Sequence, residues 1–132
     1  MQQLPTCGCG GSSRLVFACS GAADTGELAD QGARQIARDG AAQMACLAGI
    51  GGQISGIVAS ARGAAAVLVV DGCPLDCGRK ALELVGCTRI SHLRLSELGF
   101  HKGHSPVTNE AVARVVAAGS DLLNDLNKES QT

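Results

Sequence analysis

Aromatic side chains are almost missing from this chain: two phenylalanines, no tryptophan and no tyrosine among 132 residues. That shortage removes the stacking platforms on which single-stranded nucleic acids and sugars rest. A charge excess is missing too. Eleven Lys and Arg stand against twelve Asp and Glu, a net charge of −1, so nothing provides an electrostatic footprint for nucleic acid or an anionic membrane. No run reaches the roughly 18 consecutive apolar residues of a transmembrane helix. The opening MQQLPTCGCGGSSR has neither the basic start nor the apolar stretch of a signal peptide. These absences predict a cytoplasmic protein with no nucleic acid and no membrane among its partners. No Ser-His-Asp arrangement, pair of catalytic carboxylates, HExxH or P-loop lysine is visible either. The chain is therefore read as a binding protein before an enzyme, and no catalytic residue is assigned.

What is present is apolar residues, 45% of the total, and seven cysteines. A chain of this length forms one domain and buries roughly two-thirds of its unfolded surface. In a reducing compartment clustered cysteines point to metal or redox chemistry rather than to a disulfide framework, and the odd count excludes complete internal pairing. Residues 1–13, with CGCGGSS, read as a flexible tail, and 14–132 as the folded domain.

Within the domain, strand and helix signals alternate. RLVFACS (14–20) is a short apolar run suited to a buried strand. Leu28, Ala29, Ala33 and Ile36 recur at helical spacing over Asp24–Arg38, and Gly40 closes that helix. AQMACLAG (42–49) reads as a second strand, and 51–63 as a helix carrying Ile54, Ile57, Val58 and Ala61 on one face. AAAVLVVDG (64–72) is the clearest strand. Pro74 suits the first turn of a helix continuing through Lys80–Val85. TRISHLRLS (88–96) alternates Ile90, His92 and Arg94 with Ser91, Leu93 and Leu95, as an exposed edge strand does. A loop over 100–109 leads to a final helix capped by Thr108, with Val112, Val115, Leu122 and Leu123 on its apolar face. The sum is a three-layer, doubly wound (Rossmann-like or flavodoxin-like) α/β domain. It has about four parallel strands in the order 2-1-3-4, joined by helical crossovers.

That topology gives the cysteines a meaning. Cys19, Cys46 and Cys73 each fall at or beyond the carboxyl end of a strand, and Cys77 lies one turn into the helix after the third. Parallel strands present those ends to one rim, where sites of such sheets gather. Cys73 and Cys77 stand beside a helix N-terminus, which lowers a thiol pKa, Cys73 gaining most. Thiolates serve both as ligands and as nucleophiles. Four of them match a closed tetrahedral zinc site or an iron–sulfur centre. Two suffice for sulfur or selenium carriage or a redox relay, with Cys73 as nucleophile and Cys77 resolving. The CxxxC spacing is neither that of a zinc knuckle nor that of a thioredoxin-like motif.

Other residues stand near this rim. Cys7 and Cys9 form a CxC pair able to add ligands, pass metal inward or resolve an oxidised thiol. His101 and His104 follow the fourth strand and are candidate auxiliary ligands. Gly51 and Gly52, in a glycine-rich strand-to-helix turn, offer bare backbone to the thiols or to a small anion. Asp71 either anchors its turn or supports a neighbouring cysteine. Asp24 and Glu27 read as a capping box, and Cys87 as structural or as a harmless surface thiol.

FACSGAADTGELADQGAR (17–34), MACLAGIGGQISGIVASAR (44–62), VVDGCPLDCGRKALE (69–83) and LRLSELGFHKGHSPVT (93–108) resemble the DGC-domain family, small prokaryotic proteins described as zinc-binding and named for an Asp-Gly-Cys tripeptide. The resemblance covers nearly all of the chain beyond the tail. It implies a zinc site made by Cys19, Cys46, Cys73 and Cys77, and it implies no reaction. The expected partner is a metal ion, with an unidentified protein partner if metal or sulfur is handed on.

Overall fold

Two strands buried on both faces organise the molecule. Residues 13–130 are described by a computed structural model. In β1 (Arg14–Ala18) every residue after Arg14 is buried, and β3 (Ala66–Asp71) is buried throughout. Such strands read as unbroken apolar runs because helices cover both sides. β2 (Gln43–Met44) and β4 (Ile90–Arg94) complete an all-parallel sheet, as the alternation of strand and helix predicts, in the order β2-β1-β3-β4. Register pairs Ala18 with Val70 and Asp71 with Arg94.

Alternation along each strand sorts the core into two layers. Val16, Ala18, Leu68, Val70 and Leu93 face α1 (Asp24–Arg38) and α5 (Asn109–Ser130). Leu15, Phe17, Val67 and Val69 face α2 (Leu47–Gly51), α3 (Ser55–Gly63) and α4 (Cys77–Leu84). Gly40 takes the left-handed conformation after α1, and the Ala111 N–H donates to Thr108 Oγ1 at the head of α5, both as expected. Among the described residues, no helix is long and apolar enough to cross a membrane.

Four expectations need correction. The second strand is not 42–49: it stops after Met44, and Leu47–Gly51 is helical. A short apolar run does not distinguish strand from helix by periodicity, and an edge strand paired only with β1 gains little from extra length. The expected helix over 51–63 is consequently two, broken at Gly52–Ile54, where Gln53 has φ 57°. The helix after β3 does not begin at Pro74. Pro74 and Leu75 form a turn, Asp76 is left-handed, and α4 starts at Cys77. Asp24 and Glu27 make no capping box. Ala23 is the N-cap residue, without a side-chain bond. The Asp24 carboxylate instead accepts from the Gly103 and Ser105 N–H groups at 3.0 Å each and from Thr25 N–H at 2.8 Å. It thus ties the loop after β4 to the start of α1, and these N–H donors hold its pKa below the usual carboxylate range. Glu27 turns outward to Gln31.

Candidate metal centre

The carboxyl rim of the sheet is built around the Asp71-Gly72-Cys73 turn. Because Ala18, the last residue of β1, pairs with Val70, Cys19 immediately after it comes beside Asp71; its N–H donates to the Val70 carbonyl at 2.9 Å. Gly72 is buried where the chain passes the start of α1. A Cβ there would stand 2.8 Å from the Thr25 carbonyl oxygen and 2.9 Å from its carbon. Both are backbone atoms, so only glycine lets the two segments meet.

Asp71, 1% exposed, is the hub of this turn. Its Oδ1 accepts the Gly78 N–H at 2.8 Å, and Oδ2 accepts the Arg79 N–H at 3.1 Å. The carboxylate therefore satisfies two free N–H groups in the first turn of α4 and sits at the positive end of that helix. Gly78 belongs to the same arrangement, since a Cβ there would lie 2.8 Å from Asp71 Oδ1 and 2.6 Å from Val69. His92 Nε2 is 2.8 Å from Asp71 Oδ2 and 3.4 Å from Asp76 Oδ1. Asp76 is also buried, and Arg94 grips it with two nitrogens, Nε to Oδ1 at 2.8 Å and a terminal nitrogen to Oδ2. That Arg94 bond holds the Asp76 carboxyl below its usual range, and the Arg94 pKa rises in turn.

The cysteines surround this frame. Cys19 and Cys73 are partly buried, and Cys46 and Cys77 are exposed. Burial pushes the Cys19 thiol up to about 11; Asp71, Cys77 and Cys73 are close enough to add to the rise. Cys73 and Cys77 thus lie within electrostatic reach of Cys19, without the three sulfurs all standing within 4.8 Å of one another. Cys46 heads α2, on the same rim and in a helix packed against α4, and is not among the groups acting on Cys19. Cys77 is the first residue of α4 rather than one turn inside it. The thiol at the helix N-terminus is therefore Cys77, and the nearby N–H groups already serve Asp71. Cys87 is buried, with its sulfur 3.7 Å from the Ala61 carbonyl oxygen, in keeping with a structural role. Cys7 and Cys9 lie outside the described residues.

His101 borders a cleft of about 260 Å³ that Cys73 also lines. His104 is exposed and acts on Asp24. Gly51 and Gly52 are exposed, and a Cβ on Gly51 would meet nothing within 4 Å. No close approach requires glycine there.

Among the described residues, the set of three or more ligand-type side chains whose donor atoms all lie within 4.8 Å of one another is Asp71, Asp76 and His92; the cysteines do not meet that spacing. The oxygens of the Asp/Asp/His set are already committed to Arg94, His92 and helix N–H groups, which makes it a satisfied ionic network. Thiols, in contrast, offer soft donors that suit zinc, and a divalent cation would offset the burial, and after it the neighbouring negative charge, that raise Cys19. By donor chemistry the rim fits a soft metal at its thiols. Sequence reading did not find Asp76, His92 and Arg94 as a unit. The available signal was the polar pair His92 and Arg94 on one face of a strand beside β3.

The fold is a small parallel α/β domain in which Cys19 and Cys73 follow the carboxyl ends of the two central strands. The chain belongs to the DGC domain family, whose model matches residues 15–118. It is 40% identical over 88 residues, 67% of each chain, to "Anaerobic and virulence modulator AnvM" of Pseudomonas aeruginosa. No solved structure matches it.

Proposed function

We propose that this protein binds zinc through the thiolates of Cys19, Cys73 and Cys77, with Cys46 as the fourth, and that it carries or senses the metal. The observation that supports this most is the β1–β3 register. It sets Cys19 against the Asp71–Cys77 turn, where burial and, after it, neighbouring negative charge keep its thiol protonated until a cation takes the proton's place. Bound zinc would supply a fixed divalent charge at the rim. A domain with two apolar layers does not depend on a metal for its core, which favours carriage or sensing over a purely structural ion. The relative's name, a modulator, favours the same side.

Thiol relay is the weaker reading. The helix terminus that would activate a nucleophile already holds the Asp71 carboxylate. An iron–sulfur centre would use the same four thiols. Anaerobic purification with elemental analysis tests the proposal. The expected result is colourless protein with one zinc per chain, with zinc lost in Cys19→Ser and Cys77→Ser and kept in Cys87→Ser. Brown protein carrying iron, or metal-free protein with a cyanide-labile sulfur, would overturn it.

A further inference from the structure

The five residues from Cys73 to Cys77 do not hold their shape by local bonding alone. Within them the Asp76 N–H reaches the Cys73 carbonyl at a long 3.3 Å. Asp76 itself sits at φ 57°, ψ 40°, a left-handed conformation that side-chain-bearing L-residues seldom adopt. This reversal ends the Pro74–Leu75 turn and starts α4 at Cys77, so the backbone at residue 76 fixes where the Cys77 thiol stands relative to Cys73. What holds Asp76 comes from another strand. Arg94, 18 residues on, grips both carboxylate oxygens. Arg94 is in turn seated by its pairing with Asp71 across β3 and β4, and by Glu97 at 3.4 Å. Both partners are largely shielded from water, Asp76 at 9% and Arg94 at 28% side-chain exposure, so the pair is well placed to act as a fastening.

We propose that the Asp76–Arg94 ion pair is a positioning device: it pins residue 76 in its left-handed conformation and thereby sets the spacing of Cys73 and Cys77, and with it the grip on the metal. The metal half rests on the zinc reading above; the spacing half does not. Asp76 is a positioning residue and not a ligand, because Arg94 occupies both of its oxygens.

Glycine supplies the test, since it adopts a left-handed backbone without help. Arg94→Ala should weaken zinc binding, read by chelator competition, about tenfold to a hundredfold, the usual effect of removing a partner that orients a ligand. Arg94→Lys, a point charge in place of a fork, should fall between. Adding Asp76→Gly to Arg94→Ala should restore most of the affinity. A second arm uses metal-free protein and phenylarsine oxide, which captures two thiols only when they stand together. Capture should fall in Arg94→Ala and return in the glycine double variant, with far-UV circular dichroism showing each variant folded. Should wild-type protein take no zinc while the arsenical pattern holds, the zinc reading fails and the pinning role stands. Arsenical capture unchanged by Arg94→Ala, or not restored by Asp76→Gly, would overturn the proposal.

Discussion

Cys19 carries the pH dependence of the rim. Its pKa, raised from 9.0 to about 11 by burial and then by Asp71, Cys77 and Cys73, leaves a proton that zinc must displace at neutral pH. Affinity is therefore expected to rise with pH, by up to tenfold per pH unit from this thiol alone. Chelator competition across neutral and mildly alkaline pH measures the slope, and Cys19→Ser should flatten it by about one proton. The same shift bears on folding of the metal-free protein. A raised folded-state pKa gives stability that is present below the ordinary thiol value and lost as pH climbs toward about 11. The denaturation midpoint should fall through that window. At this scale the sequence was legible where one residue type announces itself: Cys19, Cys73 and Asp71 stand at or just beyond strand ends as expected, whereas Cys77 opens α4 instead of lying one turn inside it. Asp76 and Arg94 were not legible, because their bond joins positions 18 apart through the register of β3 and β4, which no local pattern encodes.

Elements show the same division between strong and weak local signals. β1, α1, β3 and α5 were readable because each has either an unbroken apolar run or a long helical stripe. The stretch from Ala45 to Ile54, between β2 and α3, was misread because its apolar residues suit a strand and a helix equally until packing on α4 decides. The start of α4 was misplaced because Pro74 suits a turn as well as a first helical position. The β3–α4 junction depends on bare backbone at one glycine and not at another. Gly72→Ala puts a Cβ against the Thr25 carbonyl at 2.8 Å and should cost about 1–3 kcal/mol, the usual penalty of overpacking. Gly51→Ala meets open space in a helix and should be neutral or stabilising by up to about 1 kcal/mol. Urea denaturation of the two variants beside the wild-type protein compares them; equal effects would remove the special role of the Asp-Gly-Cys turn.

For the molecule as a whole, direction matters most. Four strands running the same way deliver Cys19, Cys46 and Cys73 to one rim although 54 residues of sequence separate the outer two, and helices on both faces leave that rim as the accessible edge. Parallel layering followed from the strand–helix alternation, since parallel neighbours need crossovers and crossovers have one hand; the strand order matches the one expected, but alternation alone does not dictate it. The identity of the donors at the rim does not follow from topology, because a second set, Asp71, Asp76 and His92, lies under the same turn with its atoms closer together than the thiols. X-ray absorption at the zinc edge of the loaded wild-type protein distinguishes the two most directly. Four sulfur neighbours at about 2.3 Å are predicted; a shell of oxygen and nitrogen at about 2.0–2.1 Å would contradict the account.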